Sequence, residues 1–149
     1  MALLLDDAPE IAEAEKRARL LLRRNPRGVR EGIMPSAGLS GPYTLDAETI
    51  SAVVARTSAG TYALGRSEGE TFYIRYIGRA ESDIAARLGE HLGDYQQFKF
   101  SYFGSERSAF EKECHLYHDF GESKLDNKFH PSRPPHSGWQ CPRCRIFEY

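Results

Sequence analysis

A chain of 149 residues with 40% hydrophobic and 28% charged side chains can bury one core with an appendage, which excludes a disordered or fibrous class. A net charge of −1 speaks against a broad non-specific grip on nucleic acid, and no apolar run approaches the ~20 residues that span a bilayer. Three cysteines, two of them in Cys141-Pro-Arg-Cys144, make no disulfide framework. Residues 2–5 are apolar but Asp6 and Asp7 follow at once, unlike the basic flank of a signal peptide, so a cytoplasmic location without membrane contact is expected.

Residues 6–25 predict a first helix. Asp6 and Asp7 stand at its start, Pro9 in its first turn, and Ile11, Ala14, Ala18, Leu21 and Leu22 recur at helical spacing before Pro26. Its apolar face suits packing on the main domain first, with a protein partner or a second copy in a homodimer as the alternative. Gly and Pro throughout residues 26–45 predict a linker or an extended wrap, and residues 45–57 a short helix capped by Asp46. Residues 1–57 thus read as an N-terminal helical extension and linker, and residues 58–149 as the principal domain.

Within that domain, residues 61–64 and 71–77 are rich in β-branched and aromatic side chains and flank a Gly-containing stretch, which predicts a hairpin. Asp83 is placed to cap a helix carrying Ile84, Leu88 and Leu92 on one face. Residues 97–103 alternate Phe98, Phe100 and Tyr102 with Gln97, Lys99 and Ser101, the mark of a third strand. Ser105 caps a last helix that stops at Gly121. Beyond it, Pro and His are too frequent for regular structure. The pattern predicts an α/β (α+β) fold: a small three-stranded antiparallel sheet flanked by helices, with an irregular tail. Residues 60–121 hold seven Lys and Arg against ten Asp and Glu, a net of −3, whereas residues 122–149 hold five against three, a net of +2. A polyanion would therefore be gripped locally or by the chain ends.

Gly60-Thr61-Tyr62 and Tyr76-Ile77-Gly78 are followed by Arg87 and His91, then Glu113 in Phe-Glu-Lys-Glu-Cys, then Asn127. Over about residues 58–131 this series resembles the GIY-YIG nucleases, a family of homing endonucleases, some restriction enzymes and the incision nuclease of bacterial excision repair. The resemblance implies an endonuclease that hydrolyses DNA with Mg²⁺ or Mn²⁺. It makes Glu113 the metal ligand, Tyr62 the residue that helps activate water, and Tyr76 and His91 the residues that orient water or phosphate. Arg87 and Asn127 complete the catalytic set.

The residue types fit the chemistry without the name. Cleaving a phosphodiester needs an activated water and neutralised non-bridging oxygens. One carboxylate can hold a Mg²⁺ that keeps most of its waters. Arg87 offers a fixed, permanently charged fork for phosphate, and His91, one helical turn on, shares its face. Arg87→Ala and Glu113→Ala are expected to abolish cleavage at unchanged melting temperature. Arg75 and Arg79 suit phosphate contact and surface charge equally. Thr61 departs from the family's Ile, the loop between Tyr62 and Tyr76 is longer than expected, and the central region is acidic. That acidity keeps a second reading open, a GIY-YIG-like module that binds nucleic acid or a protein without cleaving. No helix-turn-helix or finger array supplies sequence recognition.

The tail adds a metal pattern. Cys141 and Cys144 provide half of a tetrahedral zinc site, and Cys114 and His118, four apart on one helical face, can complete a Cys₃His set for a structural Zn²⁺. His115, His130 and His136 are rival fourth ligands. The other reading makes Cys114 a core thiol and residues 141–144 a turn. A zinc site would pin the tail to the domain and hold Asn127 near the cleft.

Overall fold

The computed structural model describes residues 37–148, so the helix predicted at 6–25, with its partner or dimer face, lies outside the described residues. Among them the chain runs β1 (Ser40–Thr44), α1 (Ala47–Val53), β2 (Gly60–Glu68), β3 (Thr71–Ala80), α2 (Ile84–Gly89), β4 (Gln97–Tyr102) and α3 (Glu106–Asp119). A 3₁₀ turn, Glu122–Lys124, follows, and the tail beyond it is irregular as expected. No helix among the described residues is long and apolar enough to cross a membrane.

The sheet has four antiparallel strands in the order β1-β4-β2-β3, one more than the alternation predicts. The extra strand, β1, lies in the stretch expected to be a linker or an extended wrap. Its Gly41 and Pro42 disguise it, and the register with β4 shifts between Ser40 and Tyr43 where they fall. Proline has no N–H to donate to a ladder, so an edge strand, unpaired on one side, is the place that tolerates it. Nine-residue β2 is central, with Tyr62 opposite Gly78 on one side and Phe100 on the other. β3 forms the far edge.

Period-2 alternation splits the core. Tyr62, Leu64, Phe98 and Phe100 pack with Ile50 and Val54 and with Ile84 and Leu88, the apolar faces of the first two helices. On the second face Ala63 and Ile77 meet Leu116 and Leu125, joined by Ala37. Residues 37–57 therefore share the sheet and core of the residues that follow. A third cluster, Phe110, Cys114 and Cys141 flanked by Trp139 and Phe147, folds the tail onto α3.

The predicted caps are in place. Asp46 accepts from Thr49 N at 2.7 Å, Asp83 from Ala86 N at 3.2 Å and Ser105 from Ser108 N at 3.1 Å. Gly121 takes the left-handed conformation, φ 93°, just past α3. α2 is shorter than the apolar spacing suggests. Gly89 and Gly93 weaken a continued helix, and the chain turns instead through His91 N to Leu88 O at 3.0 Å and Asp94 N to His91 O at 2.9 Å. His91 therefore stands on a turn and not within the helix that carries Arg87.

Candidate functional site

A cleft of about 560 Å³ runs along edge strand β3, between α2 on one side and α3 with residues 126–132 on the other. Tyr62, Tyr76, Arg87, His91, Glu113 and Asn127, the six side chains singled out from the sequence, all line it. Gly78 explains how Tyr62 reaches it. A Cβ at Gly78 would lie 2.5 Å from both Cζ and Oη of Tyr62, so the bare backbone is the seat of the phenol. Tyr62 is 1% exposed, and the same cross-strand pairing that sets Tyr62 against Gly78 brings its ring to this spot.

Tyr62 Oη lies 2.9 Å from His91 Nε2. Burial pushes the phenol above its ordinary range, helped by Tyr76, and burial also lowers His91. At neutral pH the phenol is thus protonated and the imidazole uncharged, and with the ring hydrogen on Nδ1 the phenol donates to Nε2. The other ring nitrogen, Nδ1, is 3.7 Å from Asp94 Oδ2. Tyr76 lays its ring 5.1 Å from that of His91, and burial and Glu113 raise its hydroxyl too.

Glu113 projects from the buried stripe of α3 and is only 7% exposed. Its Oε1 pairs with Arg79 Nη1 at 2.6 Å, and the guanidinium stands 5.2 Å over the Phe110 ring. Burial pushes the carboxyl up to about 7, against the opposing pull of Arg79 and Arg87. Arg79 thus proves to be part of the site. Sequence reasoning left it open because its partner lies 34 residues along the chain. The pair also overturns the expectation that Glu113→Ala spares stability, since removal of the carboxylate strands a largely buried guanidinium. Arg87 is different: half-exposed, it holds Glu90 at 3.1 Å and the Arg79 carbonyl at 3.4 Å, contacts that a ligand could replace.

Asn127 has a structural task. Its Oδ1 accepts from Ile77 N at 3.0 Å and its Nδ2 donates to Ile77 O at 2.8 Å, so the amide stands in for a neighbouring strand on the β3 edge. Each end of the amide makes one bond to Ile77, which gives Asn127 a positioning task on the β3 edge. Asp126 reinforces the clasp: its N–H donates to Arg75 O at 2.6 Å, and its carboxylate takes Arg75 at 2.9 Å and the Tyr95 hydroxyl at 2.8 Å. Arg75 is therefore engaged in holding the tail. Thr61, the departure from the family's first tripeptide, is fully buried and donates to Ala109 O at 2.8 Å, tying β2 to α3. Charged side chains in the cleft are Arg79, Arg87 and Lys128 against Glu81, Glu90, Glu113 and Asp126, so the acidic balance persists at the site.

Behind this wall lies a second centre. His118, His130, Cys141 and Cys144 each offer a ligand atom, all within 4.8 Å of one another, and the group can hold a metal ion such as zinc. Cys114, expected to be a ligand, is outside this group. It is fully buried among Phe110 and Cys141, and burial raises its thiol as for an apolar core position. His130, one of the rival ligands, takes its place; His115 and His136 are exposed and apart from the group. Compared with protein families, curated proteins and solved structures, the chain matches none.

Proposed function

We propose that the protein is a metal-dependent endonuclease that hydrolyses DNA phosphodiester bonds through a GIY-YIG type of site. The observation that carries this reading is the meeting of Tyr62, Tyr76, Arg87, His91 and Glu113 in one cleft, from three separate stretches of chain. Mg²⁺ or Mn²⁺ fits the residues present. Glu113 is a desolvated carboxyl whose charge Arg79 only partly offsets, and a divalent cation is the partner that favours its ionised form. Bound there, the ion supplies charge neutralisation at the phosphate.

The chain's own residues supply the rest. Tyr62 is a weak base by itself, but His91 at 2.9 Å can take the phenolic proton as Tyr62 draws one from water. His91 is thus the proton acceptor and Tyr62 the relay. Arg87, free to leave Glu90, sets its fork on the non-bridging oxygens. Tyr76 orients the water through its hydroxyl. Lys128 and the 81%-exposed Phe129 stand on the wall held by Asn127, where a base could stack and a phosphate could be met.

The acidic balance of the cleft favours a second reading, a module that binds nucleic acid or protein without cleavage. Incubation of supercoiled plasmid with Mg²⁺ or Mn²⁺ separates them. Nicking by wild type that disappears in Arg87→Ala and His91→Ala supports the enzyme. Plasmid binding without nicking supports the module, and nicking that persists in both variants is not the work of this site.

A further inference from the structure

We propose that His118, His130, Cys141 and Cys144 bind one zinc ion, and that through His130 this ion fixes the wall of the cleft. The proposal is independent of the nuclease reading. Its first support is the spacing of the donor atoms. A tetrahedral zinc with bonds of about 2.0 Å to nitrogen and about 2.3 Å to sulfur separates its ligands by about 3.3 Å for N···N and about 3.5 Å for N···S. Here His118 Nε2 and His130 Nε2 are 3.3 Å apart, Cys141 Sγ and His118 Nε2 3.5 Å, and Cys144 Sγ and His130 Nε2 3.4 Å. These are edges of such a tetrahedron.

The protons point the same way. His118 Nδ1 faces Glu122 Oε2 at 2.6 Å and His130 Nδ1 faces the Pro131 carbonyl at 2.8 Å. Both partners only accept, so both Nδ1 atoms carry the hydrogen. The two Nε2 atoms then turn lone pairs toward each other, an arrangement that a cation between them stabilises. A carboxylate or carbonyl on the far nitrogen is also what orients zinc-bound histidines, and the Arg143 amide donates to Cys141 Sγ at 3.3 Å in the manner of a metal thiolate. Two imidazoles and two thiolates in tetrahedral array select zinc over oxygen-seeking Mg²⁺ or Ca²⁺. Four protein donors leave no position for substrate, so the ion is structural.

Its placement gives it work to do. Residues 126–132 form the cleft wall and are clasped at one end by Asn127 on Ile77 and by Asp126 on Arg75. At the other end His130 enters the metal group, which joins α3 to the tail knuckle at Cys141 and Cys144. With zinc the wall is held at both ends; without it one clasp remains.

Metal analysis and exchange measurements test this on the full chain. Protein purified without added zinc is expected to carry close to one equivalent, and cobalt substituted for it to show tetrahedral, thiolate-bonded absorption. Cys114→Ala should keep the ion, while His130→Ala and Cys144→Ser should bind it at least about tenfold more weakly. Stripping zinc from wild type should speed exchange of the Ile77 amide, which Asn127 accepts from, while amides of the β2–β4 ladder stay protected; this reading stands even where a ligand variant does not fold. Less than about a tenth of an equivalent in folded, reduced protein offered zinc overturns the proposal. So does loss of the ion in Cys114→Ala with retention in His130→Ala, and unchanged Ile77 exchange on stripping overturns the role given to it.

Discussion

Glu113 makes the stability of the fold depend on pH in a way that one substitution removes. Its carboxyl sits at about 7 in the folded chain against an ordinary value of 4.5. Between these values the folded state keeps a proton that the unfolded chain has released, so stability falls as pH rises and levels off above about pH 7. The gap between those two values, at about 1.4 kcal/mol per pH unit, puts the loss at about 3 kcal/mol. Glu113→Gln keeps the shape and cannot titrate. Urea denaturation at several pH values between about 4.5 and 8 should show the wild type losing about 3 kcal/mol relative to the Gln variant across that window. His91, lowered by burial, acts in the opposite sense, its contribution being lost as pH falls through 6.5, but it is common to both proteins and cancels in the difference. Parallel curves for the two proteins would refute a desolvated carboxyl. Mg²⁺ adds a second arm: if Glu113 holds it, the ion should stabilise wild type more above pH 7 than below, and leave Glu113→Gln unmoved.

Arg87→Ala should abolish plasmid nicking with little change in melting temperature, because its side chain is half-exposed and its pair with Glu90 is worth at most about 1 kcal/mol. Gly78→Ala should cost about 1–3 kcal/mol in chemical denaturation, since the new methyl overlaps the Tyr62 ring and forces it off its seat; an unchanged midpoint would mean that the ring moves freely. Asn127→Ala should cost about 1–3 kcal/mol through the two unpaired Ile77 groups and speed exchange of the Ile77 amide, with neither change expected if the amide served only a substrate.

What could be read in the sequence was what chain periodicity and capping chemistry dictate locally. The hairpin, the alternating strand at 97–103 and the caps at Asp46, Asp83 and Ser105 each rest on residues within a few positions of one another. β1 escaped because Pro42 argues against a strand everywhere except at an edge, and edge position is a property of the whole sheet. The catalytic candidates were legible as residue types in order, yet their relations were not. Arg79 and Glu113, Asn127 and Ile77, Asp126 and Arg75 are pairs 34 to 51 residues apart, and no local pattern links them. One signal was available for Glu113: it falls on the same helical stripe as Ala109, Phe110 and Leu116, so a carboxylate there had to be buried and had to have a cationic partner. The metal group shows the complementary error. Counting cysteines favoured Cys114, since a thiol four residues before His118 shares its face. A stripe that also carries Phe110, however, turns that thiol into the apolar cluster beneath Trp139 and Phe147, while the loop after α3 returns His130 to the open position. Ligand choice followed the path of the backbone, and the residue that won is the one that also belongs to the cleft.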